Sequence, residues 1–174
     1  TIDITGTAVD SEAKLNTSAV GFGDVQQDQT QTRSLEITNA GSSPLEITGS
    51  SISGEDAGAF SISGLRTRVL TPEVTETFHV EVDATDENRG SLNSQLTVTT
   101  NGSDVTSQLG TTVVAPDIVV DSTVNDEMFG TTRLGTTSTA TVEIKNAGNA
   151  KLNLTDVAIK GPDANAFSIV KSPD

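Results

Sequence analysis

The chain has 174 residues, with 24 Asp and Glu against 10 Lys and Arg, a formal net charge of −14, one His, and no Cys, Trp or Tyr. Without Cys there is no disulfide, thiolate nucleophile, Cys-ligated zinc or iron–sulfur cluster, and one His cannot supply a two-His metal site. The charge repels phosphate backbones, the aromatic rings that stack on unpaired bases are missing, and no apolar run reaches the ~18 residues of a membrane span.

In chain order, residues 1–9 read as a closing strand, because Ile4-Thr-Gly-Thr-Ala-Val9 is similar to Leu109-Gly-Thr-Thr-Val113 further on. Val20–Val25 is an opening strand. Leu35 and Ile37 alternate with Glu36 and Thr38, and Leu45 and Ile47 with Glu46 and Thr48. A period of two buries one row of a strand and wets the other. Asn39-Ala-Gly41 lies between these two strands, and Gly suits the positive φ that turns demand. Asp56–Phe60 forms one short turn, with the Asp56 side chain capping it locally. Phe78, Val80 and Val82 alternate with His79, Glu81 and Asp83, and Asn88-Arg-Gly90 ends that strand. Leu92–Thr100 and Val105–Gly110 form a hairpin around Asn101-Gly102, a type I′ signal. No stretch has helical periodicity. Six or seven strands in about 105 residues indicate an antiparallel β-sandwich.

Beyond residue 115 the pattern returns. At an offset of 107, residues 34–62 lie over 141–169 without a gap, and 15 of these 29 positions are identical. Asn39-Ala-Gly41 matches Asn146-Ala-Gly148, Asp56 matches Asp163, and Phe22 and Phe60 match Phe129 and Phe167. The expected fold class is therefore all-β, as tandem immunoglobulin-like antiparallel β-sandwiches. The expected divisions are 1–9, the closing strand of a preceding repeat; 10–115, a complete repeat; and 116–174, the N-terminal half of a second. Pro116 restricts Ala115 and limits the hinge between repeats.

The motif order resembles a known family. Val20-Gly-Phe-Gly-Asp-Val25, Leu35–Gly41, Pro44-Leu-Glu-Ile47, Ile52-Ser-Gly54, Asp56–Ile62 and Leu70-Thr-Pro72 follow one another as in the choice-of-anchor D repeat. That repeat is an immunoglobulin-like module related to the ASH/hydin and major-sperm-protein group. The family's usual Gly after the Pro is replaced here by Glu73, and its Phe-x-Pro near Val82–Ala84 is missing. The resemblance implies large, repetitive, secreted or surface-anchored proteins of prokaryotes, and it carries no catalytic residues.

His79 shares a strand face with Glu81, but no Gly-x-Ser-x-Gly elbow accompanies it, so it reads as a solvated strand residue rather than a triad base. Asp83, Asp86 and Glu87 form the densest oxygen cluster and are the calcium candidates, with Asp121–Glu127 as a second acidic loop. Neither has the EF-hand spacing. The sequons at Asn16, Asn101 and Asn153 are glycosylation candidates, with Asn101 best placed at a hairpin tip. No catalytic residue, cofactor or firm metal ligand is expected.

The function expected is a non-catalytic structural or adhesive module of a long extracellular or cell-surface protein, acting as spacer or binding scaffold. Its expected partners are a protein or glycan at a surface, or neighbouring repeats, with no nucleic acid and no direct membrane insertion. The acidic balance and the Thr content point to a halophile, whose molar salt screens the self-repulsion. Two alternatives stand beside this one. The first is a fibre or spike subunit of a halophile's virus, and the second an accessory module of a secreted enzyme.

Overall fold

The computed structural model describes Gly6, residues 9–120 and residues 128–171. The expected closing strand at 1–9 falls almost wholly outside them. By its internal contacts the chain divides into two units, Thr1–Val114 and Ala115–Asp174.

The first unit is a sandwich of nine strands in two sheets: β1 Ala13–Leu15, β2 Ala19–Gln26, β3 Gln29–Asn39, β4 Leu45–Ser53, β5 Phe60–Ser63, β6 Arg68–Leu70, β7 Thr75–Ala84, β8 Gly90–Thr100 and β9 Val105–Val114. One sheet runs β1-β3-β7-β5 and the other β2-β9-β8-β4-β6. The count exceeds the expected six or seven because β1 and β6, of three residues each, are too short to show a period. The rows expected to face inward do so. Leu35, Ile37, Leu45, Phe78, Val80, Val82, Leu96 and Val98 are fully buried.

All pairings in the two sheets are antiparallel except β2 with β9, which run parallel with Ala19 beside Gln108 and Gln26 beside Val114. The expected antiparallel sandwich thus forms, with this one parallel pair. A bulge at Phe22-Gly23 interrupts the pairing, with Gly23 at φ 73°. Thr111 closes the gap by donating from Oγ1 to the Gly23 carbonyl at 2.8 Å. Phe22 faces inward in step with Val20 and meets Phe60, with ring centroids 5.8 Å apart, under the Arg33 guanidinium, and the bulge resets the alternation so that Val25 faces inward too.

The β8–β9 hairpin exists, but its connection is the four residues Asn101–Asp104, and neither Asn101 nor Gly102 has a positive φ. A type I′ turn needs both. Thr100 directs the longer loop instead: its N–H reaches Asp104 Oδ1 and its hydroxyl donates to the Ser103 carbonyl.

Glu73 occupies a left-handed position at φ 67°, where the resembled family carries Gly. Pro72 and Glu73 stand at the centre of a turn closed by Val74 N–H to the Thr71 carbonyl at 3.2 Å, the arrangement of a type II turn. The Glu73 amide also donates to the Asn39 carbonyl at 2.9 Å. The turn survives without its glycine, at the steric cost of a Cβ in the left-handed region.

In the second unit, β10 Ile118–Val120 pairs antiparallel with β11 Ile144–Asn146. Its short 3-10 turn at Ala164–Ala166 matches that at Ala57–Ala59 in the first unit, and Phe129 and Phe167 stack with centroids 5.4 Å apart. Most of its apolar side chains are open to solvent.

Candidate functional site

The most organised polar centre is the crossing from β3 to β4, built around Asn39. Asn39 is fully buried. Its Nδ2 donates to the carbonyls of Ser43 at 2.8 Å and Leu70 at 2.9 Å, and its Oδ1 accepts from the Gly41 amide at 3.0 Å. The carboxamide thus satisfies backbone groups that the crossing between sheets would strand. The same corner clasps the incoming chain. Ala40 N–H donates to the Glu12 carbonyl, and the Ser42 and Ser43 amides share the Asp10 carbonyl.

Gly41 does not have a positive φ, contrary to the sequence reading. It is glycine because a Cβ would overlap the Asp10 carbonyl oxygen and the Glu12 nitrogen. Close approach of two backbones, not left-handed geometry, sets the residue. Gly148 stands in the same way over the Ala115 carbonyl and the Asp117 amide. Asn146 donates to the Ala150 carbonyl and accepts from Gly148 and Asp117, while Asn149 and Ala150 amides share the Ala115 carbonyl. The spacing from the clasped strand to the corner differs by two residues, because Ala13 pairs with Asn39 and Ile118 with Asn146.

Asp56 does not cap its own turn. Its Oδ2 accepts from the Asn93 amide at 2.8 Å, a tether to β8 across 37 residues, and its 3-10 turn has no side-chain cap. Asp163 holds the same backbone conformation, φ −103° and ψ 18° against −98° and 18°.

His79 lies on the outer face of β7 between Ser34 and Ser63, its partners across β3 and β5. Ser34 Oγ is 3.1 Å from His79 Nδ1, a contact that sequence reading missed because it depends on strand register. Glu81 is bonded instead to Thr32 Oγ1 at 3.1 Å. Ser34 and His79 are thus an exposed cross-strand pair, with the neighbouring carboxylate directed to a threonine. Ser-based acyl transfer needs an oriented base and an oxyanion cradle as well.

The calcium candidates are not brought together. The Asp83 carbonyl, rather than its carboxylate, is used, accepting from Asn88 Nδ2 at 2.9 Å. Asp86 pairs with Arg89 at 2.6 Å and Glu87 sits in the exposed turn Asp86–Asn88, which Thr85 and Asn88 cap reciprocally. Among the described residues no three His, Asp or Glu converge as metal ligands, and Asp121–Glu127 lies outside them.

The three sequons differ. Asn16 Oδ1 accepts from the Glu36 amide. Asn101 is engaged on both sides, accepting from the Glu46 amide at 2.9 Å and donating Nδ2 to the Pro44 carbonyl at 3.4 Å. Exposed Asn153 makes no side-chain hydrogen bond to any described residue. A glycan needs Nδ2, which among the described residues is engaged in Asn101 but not in Asn16 or Asn153.

A family model, the HYDIN/CFA65/VesB-like Ig-like domain, matches residues 13–113. No curated protein matches the sequence. Among solved structures, a protein of unknown function from Porphyromonas gingivalis W83 aligns with TM-score 0.51 and 17% identity, over 62% of this chain and 49% of that one. The chain thus spans about half the length of that relative. The PapD-like domain 7 of human CEP192 aligns with TM-score 0.48 and 12% identity over 67% and 95% of the two chains. The VesB protease of Vibrio cholerae aligns with TM-score 0.47 and 18% identity over 59% and 32%. At these identities the likeness concerns fold alone. Through its first sandwich, the chain belongs to the HYDIN/CFA65/VesB-like Ig-like domain family.

Proposed function

We propose that the chain is a non-catalytic, load-bearing module from a tandem array of immunoglobulin-like repeats on an extracellular protein of a halophile. The observation that carries the mechanical part is the parallel pairing of β2 and β9, the first and last long strands of the sandwich. Tension applied through the chain on either side draws β2 toward its Ala19 end and β9 toward its Val114 end. Parallel neighbours pulled in opposite directions are loaded along the strands, so their hydrogen bonds resist together rather than opening one by one.

The repeat reading is supported by the recurrence of the Asn-Ala-Gly corner, in which Asn39 and Asn146 each donate to the carbonyl four residues on and accept from the Gly two residues on, and by the matching Asp conformation and Phe pair. It is supported too by what stays uncovered. Phe129, Leu154, Ile159, Phe167 and Ile169 are 39–47% exposed. The residues at the same offset in the first unit sit on β2, β4 and β5, which pair with β9, β8 and β7. Strands of that type are the natural cover for the second unit. The charge of −14 supports the halophile reading.

Force spectroscopy tests the mechanics, and the absence of native Cys makes engineered thiols unique handles. Handles at Ser11→Cys and Asp117→Cys load β2 against β9. Handles at Arg89→Cys and Asp117→Cys pull apart the paired ends of β8 and β9, where Gly90 lies beside Val113. The first geometry is expected to rupture at a several-fold higher force. Equal forces would remove the load-bearing reading.

A further inference from the structure

We infer that Asn101 is a latent modification site, at which the chain deamidates itself when the β8–β9 loop lifts from the start of β4. Asn101-Gly102 is the chain's one Asn-Gly pair. A glycine after asparagine leaves its backbone nitrogen unshielded by a side chain and free to turn toward the neighbouring carboxamide. The structure gives each residue its own reason to be there, so the labile pair is built into the fold. Asn101 binds the start of β4 through three atoms. Its N–H donates to the Glu46 carbonyl at 3.0 Å, its Oδ1 accepts from the Glu46 amide at 2.9 Å, and its Nδ2 donates to the Pro44 carbonyl at 3.4 Å. Gly102 is exposed, yet it has no room for a Cβ, which would lie 2.6 Å from the Ser11 carbonyl oxygen.

The reaction needs only water. The Gly102 nitrogen gives up its proton, and its lone pair attacks Asn101 Cγ. The N–Cγ bond forms, the Cγ–Nδ2 bond breaks, and Nδ2 takes up a proton and leaves as ammonia. Water then opens the succinimide at either of its carbonyls, giving aspartate or isoaspartate at position 101. One water is consumed, one ammonia is released, and nothing is oxidised or reduced. The folded loop opposes the first step. The Gly102 N–H donates to Thr100 Oγ1 at 3.1 Å, while Oδ1 and Nδ2 hold the carboxamide toward Glu46 and Pro44. Thr100 is buried and fixed in turn by Asp104 Oδ1 and the Ser103 carbonyl. Cyclisation therefore waits for a local opening that frees Asn101 from Glu46. Neither product restores the contact in full. Aspartate has no donor for the Pro44 carbonyl. Isoaspartate adds a methylene to the backbone where Gly102 lies against Ser11, so the loop no longer fits its place. Deamidation thus marks chains whose loop has opened, and the isoaspartate form stays looser.

The test incubates the full chain at mildly alkaline pH, folded in buffer and unfolded in urea, and follows each Asn by peptide mapping that separates aspartate from isoaspartate. The unfolded chain is expected to convert at Asn101 ahead of every other Asn, and the folded chain to convert there on the order of tenfold or more slowly. Hydrogen exchange at the Glu46 amide reads the same opening, because Asn101 Oδ1 is its acceptor. As urea is raised below the unfolding transition, conversion at Asn101 is expected to rise in step with that exchange. The isoaspartate form, separated by ion exchange, is expected to melt at a lower temperature than the unconverted chain. Four results would overturn the inference: equal rates in the folded and unfolded chain, earlier conversion at another Asn, conversion that does not follow Glu46 exchange, or an isoaspartate form that melts with the parent. The unaltered chain and its own product decide every point, so no variant has to fold.

Discussion

Replacing Asn39 by Ala removes one buried carboxamide and strands three backbone groups at once. The Leu70 carbonyl loses its donor in the core, the Ser43 carbonyl loses its donor, and the Gly41 amide loses its acceptor. At ~1–1.5 kcal/mol for each buried hydrogen bond whose partner stays unsatisfied, the cost is about 3–5 kcal/mol. A domain of this size has ~5–15 kcal/mol in total, and each kcal/mol moves the melting temperature by ~4–8 °C. A fall on the order of 12 °C or more is therefore expected. Asn39→Asp separates donor from acceptor. It keeps the acceptor for Gly41 but points a carboxylate at two carbonyl oxygens, and it is expected to be at least as damaging as Ala. With no Trp or Tyr, unfolding is followed by far-ultraviolet circular dichroism or calorimetry rather than fluorescence. A loss under ~1 kcal/mol for Asn39→Ala, or an Asp variant as stable as the parent, would refute the account of the corner.

Glu73→Gly relieves the left-handed Cβ and is expected to raise stability by up to ~1 kcal/mol in urea denaturation, while Glu73→Ala, which keeps the Cβ, does not. Asp56→Ala removes the acceptor of the exposed Asn93 amide and is expected to cost ~0.5–1.5 kcal/mol, whereas Asp56→Asn retains an acceptor oxygen and costs less; equal losses would show that the carboxylate, not the hydrogen bond, matters. Raising NaCl from about 0.01 M to 1 M shortens the Debye length from ~30 Å to ~3 Å, and the melting temperature is expected to rise by several degrees. A flat profile would remove the halophile reading.

The sequence made the core legible and the connections much less so. Leu35 and Ile37, or Phe78, Val80 and Val82, announce themselves because each strand has one wet face, and period two is a local signal. Partner choice is not local. The β2–β9 pairing joins residues 88 apart, as between Thr111 and Gly23, and nothing in either strand marks it as parallel. The Asp56 tether and the Ser34–His79 contact were hidden for the same reason, since each needs the register of a distant strand. Asn101-Gly102 misled in another way. The dipeptide favours a two-residue turn, but Thr100 and Asp104 supply bonds that hold a four-residue loop. The glycines of the two corners stand out in the sequence but the reason for them does not, because crowding by a second backbone leaves no trace in the local sequence.

The two corners also separate what the recurring positions do. Positions that touch backbone keep their residue: Asn39 and Asn146, Gly41 and Gly148, Asp56 and Asp163. Of the positions that fill space, Leu35 and Ile47 give way to Val142 and Leu154, while Ile37, Leu45, Ile52, Phe60 and Ile62 recur unchanged as Ile144, Leu152, Ile159, Phe167 and Ile169. The burial of the two sets differs widely, with Phe22 and Phe60 at 3% and 7% exposed but Phe129 and Phe167 at 39% and 47%. Yet the ring pairs are within 0.4 Å in centroid distance, 5.8 Å against 5.4 Å, and the corner hydrogen bonds recur. The corner is therefore set by a carboxamide, a missing Cβ and the incoming strand rather than by the core beneath it. A corner held by its own backbone bonds thus forms whether or not the apolar side chains around it are covered.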